Sequence, residues 1–402
     1  MASKPPGSGH GEGGSERLHA LDALRAAMML LGVVLHAGNA YLAHPVPDAW
    51  PWFDQDRTLV ADLAAYLIHG FRMPVFFTLA GFFAALLVAQ RGIRGFAANR
   101  AQRVLAPLAL FALPVWAADE LAVAVARDPG AVRAVAAARA LALPEHLSVL
   151  GHLWFLHYLL LLCGALAAVV AVGRLLGARE RVTHAGAWLA RWWAPAVPAL
   201  PLALVLVWQP FAVLNPSGSL LPDPSTLAGY GVPFFVGAWL YLRRDALGAL
   251  AVRAGWLLGG ALLLDVACLF ILLSQVGGEG TVHLQDATLD LWQLPLACCT
   301  ALATMLATFG LIGVAQRLVT GHHPVVRYAA DAAYWVYLVH HAQVIALCGL
   351  LGLWHAPALM KWVVVVVLVL CTSTLSYHVL VRSTPLGVLL NGRRYPWRPP
   401  WR

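Results

Sequence analysis

Val363-Val364-Val365-Val366-Val367-Leu368-Val369-Leu370 decides the architecture of this chain. A membrane β-strand alternates apolar and polar positions, and this unbroken run does not, so a β-barrel is excluded. The run lies inside a longer apolar stretch, 361–381, and roughly 20 apolar residues are what a helix needs to cross the hydrocarbon core. Nine more stretches of this kind precede it, at 20–40, 59–90, 104–126, 151–173, 194–214, 229–242, 255–275, 288–316 and 328–351. The expected fold is therefore all-α: a polytopic integral membrane protein, a helical bundle of about ten transmembrane helices. The second and eighth stretches exceed what a span requires, which predicts a tilt or an interfacial turn. The sixth is short and is expected to borrow residues from the loop holding Pro222 and Pro224.

Composition agrees. Of 402 residues, 60% are apolar and only 11% charged, with a mean hydropathy of +0.72. A soluble domain carries about 25% charged residues and could not cover its surface from this supply. The net charge is +8. No basic run interleaved with aromatics accompanies it, so a nucleic-acid partner is not indicated. The charge instead follows the loops. Counting alternate connections, 20 basic residues fall on the side of both termini, among them Arg91, Arg94, Arg100 and Arg103. Five fall on the other side: Arg57, Arg127, Arg133, Arg139 and Lys361. Acidic residues such as Asp48, Asp54, Asp56, Glu279 and Asp286 collect on that poorer side. The excess of Lys and Arg in cytoplasmic loops assigns both termini to the cytoplasm.

The expected organisation is a disordered cytoplasmic tail over 1–16, one membrane domain over 17–384, and a basic cytoplasmic tail over 385–402. Met1 to Ser15 is rich in Gly, Ser and Pro without an apolar core, so no cleaved signal peptide is expected. The six cysteines all lie in apolar stretches without a CxxC pair and read as small buried hydrophobes. No repeat, phosphate loop or dinucleotide fingerprint appears.

Ionisable residues at membrane depth are costly, and each is a functional candidate. Asp22, Arg25, Met29, Gly32 and His36 follow one another at alternating steps of three and four, one face of the first helix. Asn39 continues the stripe. Arg25 and His36 stand about three turns apart, about 16 Å of rise. The stripe thus holds a cation near the cytoplasm and an imidazole farther across. Buried imidazole stays neutral and can accept a proton, as a general base must. Arg100 and Arg103 form a second inner pair suited to an anion with several phosphates; the same two charges also fit simple topology-setting residues. Arg72 is expected near the outer interface, lining a cavity or meeting headgroups. His152 and Trp154 open the fourth stretch. His340 and His341 lie half-way across the ninth, and because adjacent helical side chains point about 100° apart, at most one is expected near His36. Without an HxxxH or HExxH pattern, no metal and no cofactor are expected.

Taken together these patches resemble the acyltransferase-3 family of multipass membrane O-acyltransferases. The resemblance rests on Leu21-Asp22-Ala23-Leu24-Arg25-Ala26 with His36, on Arg100-x-x-Arg103, and on Met73-Pro74-Val75-Phe76-Phe77-Thr78-Leu79-Ala80-Gly81-Phe82-Phe83. His152-Leu153-Trp154-Phe155-Leu156 and Tyr337-Leu338-Val339-His340-His341 complete it, in the family's order and over nearly the whole chain. Ala80 departs from the serine the family commonly has before that glycine. Arg72 beside Met73, and the absence of a fused esterase-like domain, are closer to the branch that succinylates periplasmic glucans.

The resemblance implies transfer of an acetyl or succinyl group from cytosolic acyl-CoA, a co-substrate, to a carbohydrate or glycolipid hydroxyl outside a bacterial inner membrane. It makes Arg25 and His36 the catalytic residues, with Arg25, Arg100 and Arg103 holding the donor. Asp22, Asn39, Arg72, His152, Trp154, His340 and His341 are the remaining pocket candidates. Both direct attack by the acceptor hydroxyl and a covalent acyl-histidine relay fit these residues. Asn39, Trp154 or a second histidine could donate to the oxyanion. Buried Arg, His and Asp suit a secondary transporter of a small anionic or glycolipid solute equally on general physics, and that is the alternative.

Overall fold

A computed structural model gives the architecture and describes residues 12–47, 50–127, 149–177, 186–275, 291–319, 321 and 323–397. The N-terminal residues up to 11, Asp48, Arg133, Arg139, Arg179, Arg181, Glu279, Asp286, Arg398 and Arg402 lie outside them. Eleven α-helices follow in order among the described residues: α1 Glu12–Asn39, α2 Leu59–Arg100, α3 Ala106–Arg127, α4 Trp154–Leu175, α5 Ala196–Leu206, α6 Pro224–Leu242, α7 Ala246–Gln275, α8 Gln293–Leu318, α9 Pro324–Leu351, α10 Ala358–Ser376 and α11 Pro385–Asn391. Leu42 and Thr58 form an isolated bridge.

Seven helices are long and apolar enough to cross a membrane, one of them running without a loop from Leu59 to Arg127. The connection expected after the second stretch is thus a break inside this run, at Gly92, where the backbone leaves helical geometry. Residues 93–103 contain no proline, and the chain resumes a helix directly after the break. A kink at Gly92 (φ 69°, ψ 176°) and a wide π turn over Ala101–Leu105 redirect it. The fifth stretch also differs: α5 has 11 residues, about 17 Å of rise, short of a span. The sixth borrows residues as expected, since Asp223 caps α6 by accepting from Thr226 N, and Pro224 occupies its first position. At the N-terminus, α1 begins at Glu12, inside the expected tail.

The outside of the bundle is apolar. Trp256, Leu263 and Phe270 stand at heptad spacing on α7 and are 87%, 72% and 71% exposed; in water such a stripe would be an association surface, and in lipid it is the normal boundary. Inside, α1 packs against α2, α8, α9 and α10, and α2 packs against α1, α4, α6 and α8. Small residues allow these approaches. A Cβ on Gly81 of α2 would run into the Phe234 carbonyl of α6, and a Cβ on Gly237 of α6 would run into the Thr78 carbonyl of α2. The two backbones therefore touch along this seam, as small residues allow in membranes.

Gly81→Leu and Gly237→Leu are each expected to separate α2 from α6 at a cost of about 3 kcal/mol or more. Gly164→Ala, where no atom lies within 4 Å of the added carbon, should leave the protein intact. Thermal unfolding of the detergent-solubilised variants checks both; equal behaviour of the three would contradict the seam.

Candidate functional site

The site begins with a proline. Pro74 has no N–H, so the carbonyl of Gly70 one turn earlier in α2 loses its helical donor. Thr304 Oγ1 of α8 donates to that carbonyl at 3.1 Å instead. The turn held this way carries His69 and Arg72 into a cavity of about 610 Å³. Across it, α1 contributes Gly32, His36 and Asn39. Gly32 has a reason to be glycine: a Cβ there would collide with Arg72 Nη1, with His340 Nε2 4.0 Å away. The bare backbone of α1 thus lets a guanidinium lie beside the imidazole of His340. Arg72 Nε is closed off from solvent and has no hydrogen-bond partner among the described residues.

Imidazoles surround this cation. His36 lies 5.4 Å from His340 and 5.1 Å from His341, ring centre to ring centre. Trp50 stacks on His36 at 5.8 Å and meets His341 edge-on at 5.4 Å. His152 stacks on His341 at 4.6 Å. The backbone fixes one tautomer. His340 Nδ1 lies 2.8 Å from Tyr337 O and 3.1 Å from Val336 O, and carbonyl oxygens only accept, so Nδ1 carries the proton. His340 Nε2 is then a bare lone pair, buried and without a partner, and so is one candidate acceptor of a substrate proton. In that state it cannot donate to an oxyanion, which removes neutral His340 from the donors considered from sequence. His36 Nδ1 is likewise closed off and unpartnered.

Two polar anchors close the end of the cavity next to His36. Lys361 Nζ donates to Asp54 Oδ1 at 2.7 Å and to Asp56 Oδ2 at 3.0 Å, and the Lys361 and Asp54 side chains are 1% and 2% exposed. This ties the segment after α1 to α10 and holds Trp50 over His36. Lys361 is therefore a buried ion-pair partner and not the loop charge read from sequence. On the far side of the imidazoles Asp119 of α3 lies 3.4 Å from His152 Nδ1 and 3.1 Å from His341 Nδ1.

Toward the other end of α1, Arg25 pairs with Asp22 at 3.0 Å and stands over the Phe83 ring. Arg25, Arg100 and Arg103 are close enough to repel one another. Arg103 Nη1 donates to the Val388 carbonyl at 3.3 Å, near the end of α11, where that carbonyl also accepts from Gly392 N–H. Like-charged groups gathered this way form a cationic patch that an anion of several phosphates would relieve.

Of the residues singled out from sequence, His36, Asn39, Arg72, His152, Trp154, His340 and His341 line one cavity. Asp22, Arg25, Arg100 and Arg103 do not line it; they form the separate cationic end. Both adjacent histidines reach His36, against the expectation of one. The 100° between them is spanned because His36 sits close in front of α9, between the two directions. His157, on another face of α4, stays outside the cavity. Sequence reasoning missed Asp119, although an acid inside the apolar stretch 104–126 is the same signal that exposed Arg25 and His36. Trp50 gave no signal, since it stands in a connection.

The family model described as an acyltransferase domain matches residues 18–378. Glucans biosynthesis protein C of Salmonella paratyphi A is 25% identical over 401 residues, 94% of this chain and 95% of that protein. The protein of the same name from Escherichia coli K12 is 33% identical over 101 residues, and that match spans only 25% of its length and 25% of this chain. No solved structure matches.

Removing Lys361 strands a buried carboxylate. Lys361→Met is expected to cost about 3–5 kcal/mol, whereas Asp56→Asn, at a carboxylate 55% exposed, should cost less than about 1 kcal/mol. Chemical unfolding in detergent measures the two. Equal losses would refute the assignment of Asp54 as the buried partner.

Proposed function

The chain belongs to this acyltransferase-3 family, and from that premise we propose that it transfers an acyl group from cytosolic acyl-CoA to a hydroxyl of a carbohydrate across the membrane. The observation that carries the proposal is the first helix, which joins the two ends of the reaction. His36 stands in the cavity with an unpartnered Nδ1, and Arg25 stands about 16 Å away on the same helix within a cluster of arginines. Phosphates of the donor bind Arg25, Arg100 and Arg103, and the acyl end enters the bundle.

His36 then takes the proton of the acceptor hydroxyl as its oxygen attacks the thioester carbonyl carbon. The carbon–sulfur bond breaks and the departing sulfur recovers the proton from His36. Arg72, whose Nε is buried in the cavity without a hydrogen-bond partner among the described residues, suits developing negative charge on the carbonyl oxygen or the far carboxylate of a succinyl group. The relatives are named for glucan biosynthesis, which favours a glucan as the acceptor. Trp154 and Tyr230, stacked at 5.3 Å in the same cavity, suit the apolar faces of sugar rings. In this reading the chain crosses a bacterial inner membrane ten times, α5 together with the residues that follow it to 214 making the fifth crossing, with both termini in the cytoplasm, and the poorly basic side carries the acceptor. Membership in a group-transfer family leaves the transport alternative without an observation of its own.

Mass spectrometry of envelope glycans tests the reading. An acyl mass increment should appear with the wild type and fall at least about 100-fold with His36→Ala, at unchanged expression. Full acylation by His36→Ala would overturn His36 as the base, and no increment in any glycan or lipid pool would overturn acyl transfer. Arg100→Gln with Arg103→Gln should raise the KM for acyl-CoA about tenfold or more while leaving the KM for the acceptor in place. An unchanged donor KM would reduce both arginines to topology-setting charges.

A further inference from the structure

We propose that Asp119, His152 and His341 form a binding site for a divalent transition metal, with zinc the best match to the donor set. The argument starts from a proton. His152 Nε2 lies 3.1 Å from the Tyr337 carbonyl, an oxygen that only accepts, so Nε2 carries the hydrogen. Neutral His152 therefore turns a bare Nδ1 lone pair toward Asp119, 3.4 Å from its Oδ2. Asp119 Oδ1 and His341 Nδ1 lie 3.1 Å apart, yet neither has an aligned hydrogen-bond partner and both are shut off from solvent. In the His341 tautomer that carries its proton on Nε2, two ring nitrogens and a carboxylate thus converge as electron-pair donors. Left alone, they repel; a cation between them removes the conflict.

The dimensions suit a metal ion. All three ligand atoms lie within 4.8 Å of one another. A tetrahedral zinc with bonds of about 2.0–2.1 Å has ligand-to-ligand edges of about 3.4 Å; His152 Nδ1 stands 3.4 Å from Asp119 Oδ2 and His341 Nδ1 stands 3.1 Å from Oδ1, so the carboxylate meets each ring through a different oxygen. The imidazole rings of His152 and His341 lie 4.6 Å apart with 22° between their planes; ring-nitrogen lone pairs lie in those planes, so uptake of an ion turns one ring toward it. The Tyr337 carbonyl on His152 Nε2–H is the outer partner that orients a ligating histidine. Borderline nitrogen donors with one carboxylate favour zinc over calcium or magnesium, which take oxygen ligands. The ligands come from α3, the turn before α4, and α9, and this is why no short sequence pattern announced them.

Binding of the ion does not rest on the acyl-transfer reading; only its use does. His152 and His341 line the cavity, and His341 is 5.1 Å from His36 between ring centres. Three protein ligands leave a zinc ion one position for substrate. An acceptor hydroxyl bound there gives up its proton to His36 more readily. Its oxygen forms the new bond to the acyl carbon, the carbon–sulfur bond breaks, and the thiolate takes the proton from His36. No electron transfer is involved.

The test measures metal, not turnover. Untagged full-length protein, purified in detergent without chelator, is analysed by inductively coupled plasma mass spectrometry. About one zinc per chain is expected in the wild type and in His36→Ala, with at least a tenfold fall in Asp119→Asn and His341→Gln. Zinc returned to chelator-treated protein should raise the unfolding temperature of the wild type and His36→Ala, and not that of the two ligand variants. If the ligand variants fail to fold, this chelation and return in the wild type and His36→Ala decides the matter. Folded wild type with no metal and no response to zinc would overturn the site and make Asp119 the counterion of a charged imidazole. Equal metal in the ligand variants would overturn it too. Metal present without any acylated product would overturn the proposed function while this site stands; acylated product from a metal-free protein would do the reverse.

Discussion

Arg72 sets the terms for the rest of the bundle. A guanidinium cannot shed its charge in a protein, and at membrane depth that charge must be met by protein, water or substrate. Here it is met by geometry and not by a carboxylate. Pro74 unseats one carbonyl of α2, Thr304 takes that carbonyl up, and Gly32 strips α1 of the carbon that would block the guanidinium. These are three separate concessions by three helices, each at the same depth. They leave a cation facing a cavity beside His36 and His340. The field of that cation draws an anionic group into the cavity, beside the proton-free Nε2 of His340.

The aligned stripe from Asp22 to Asn39 made much of this legible in advance. Helical spacing is a local property, so the face shared by Arg25, Gly32 and His36 follows from sequence alone. Apolar length likewise marked where helices would form, and each of the ten stretches contains one. Other features depended on contacts between distant segments. Spacing within α9 separates His340 from His341, but their meeting at His36 depends on where α1 lies in front of α9. Lys361 reads as a loop charge until Asp54, from a connection some three hundred residues earlier, is found 2.7 Å away. Between the second and third stretches the arginines mark a connection, but its form, a break at Gly92 with helix on both sides, is not legible from charge. In this segment they ride on a helix that bends at Gly92 and widens at Ala101–Leu105.

Asp119 shows how a single buried acid reorganises a polar cluster. Without it, His152 and His341 would be two neutral rings stacked in the bundle, a common packing arrangement. With it, the fixed Nε2 proton on His152 turns the cluster into converging donors, because Tyr337 O has already claimed the only N–H a neutral ring can offer. The Tyr337 residue is used twice more: its hydroxyl donates to the His152 carbonyl at 2.8 Å, and its carbonyl accepts from His340 Nδ1 at 2.8 Å. One residue on α9 therefore sets the tautomers of two histidines and ties the turn before α4 to α9. A site assembled this way keeps its protonation pattern only while those segments remain packed.

The two ends of α1 then divide the work by dielectric. The arginine cluster is partly open, with Arg25 39% exposed along its side chain, so a charged donor can reach it without full desolvation. The imidazole end is enclosed by Trp50 and the loop held down by Lys361, where water is scarce and each electrostatic contact counts for more. Under the proposed acyl transfer, a thioester is stable enough to travel between such environments, whereas the alkoxide that attacks it is not. A base at the enclosed end would then confine the reactive anion to the place where hydrolysis is least able to compete. The rigid helix between the two ends is what keeps binding and chemistry about 16 Å apart, and it explains why the glycine that admits Arg72 lies on that helix, on the same face as both.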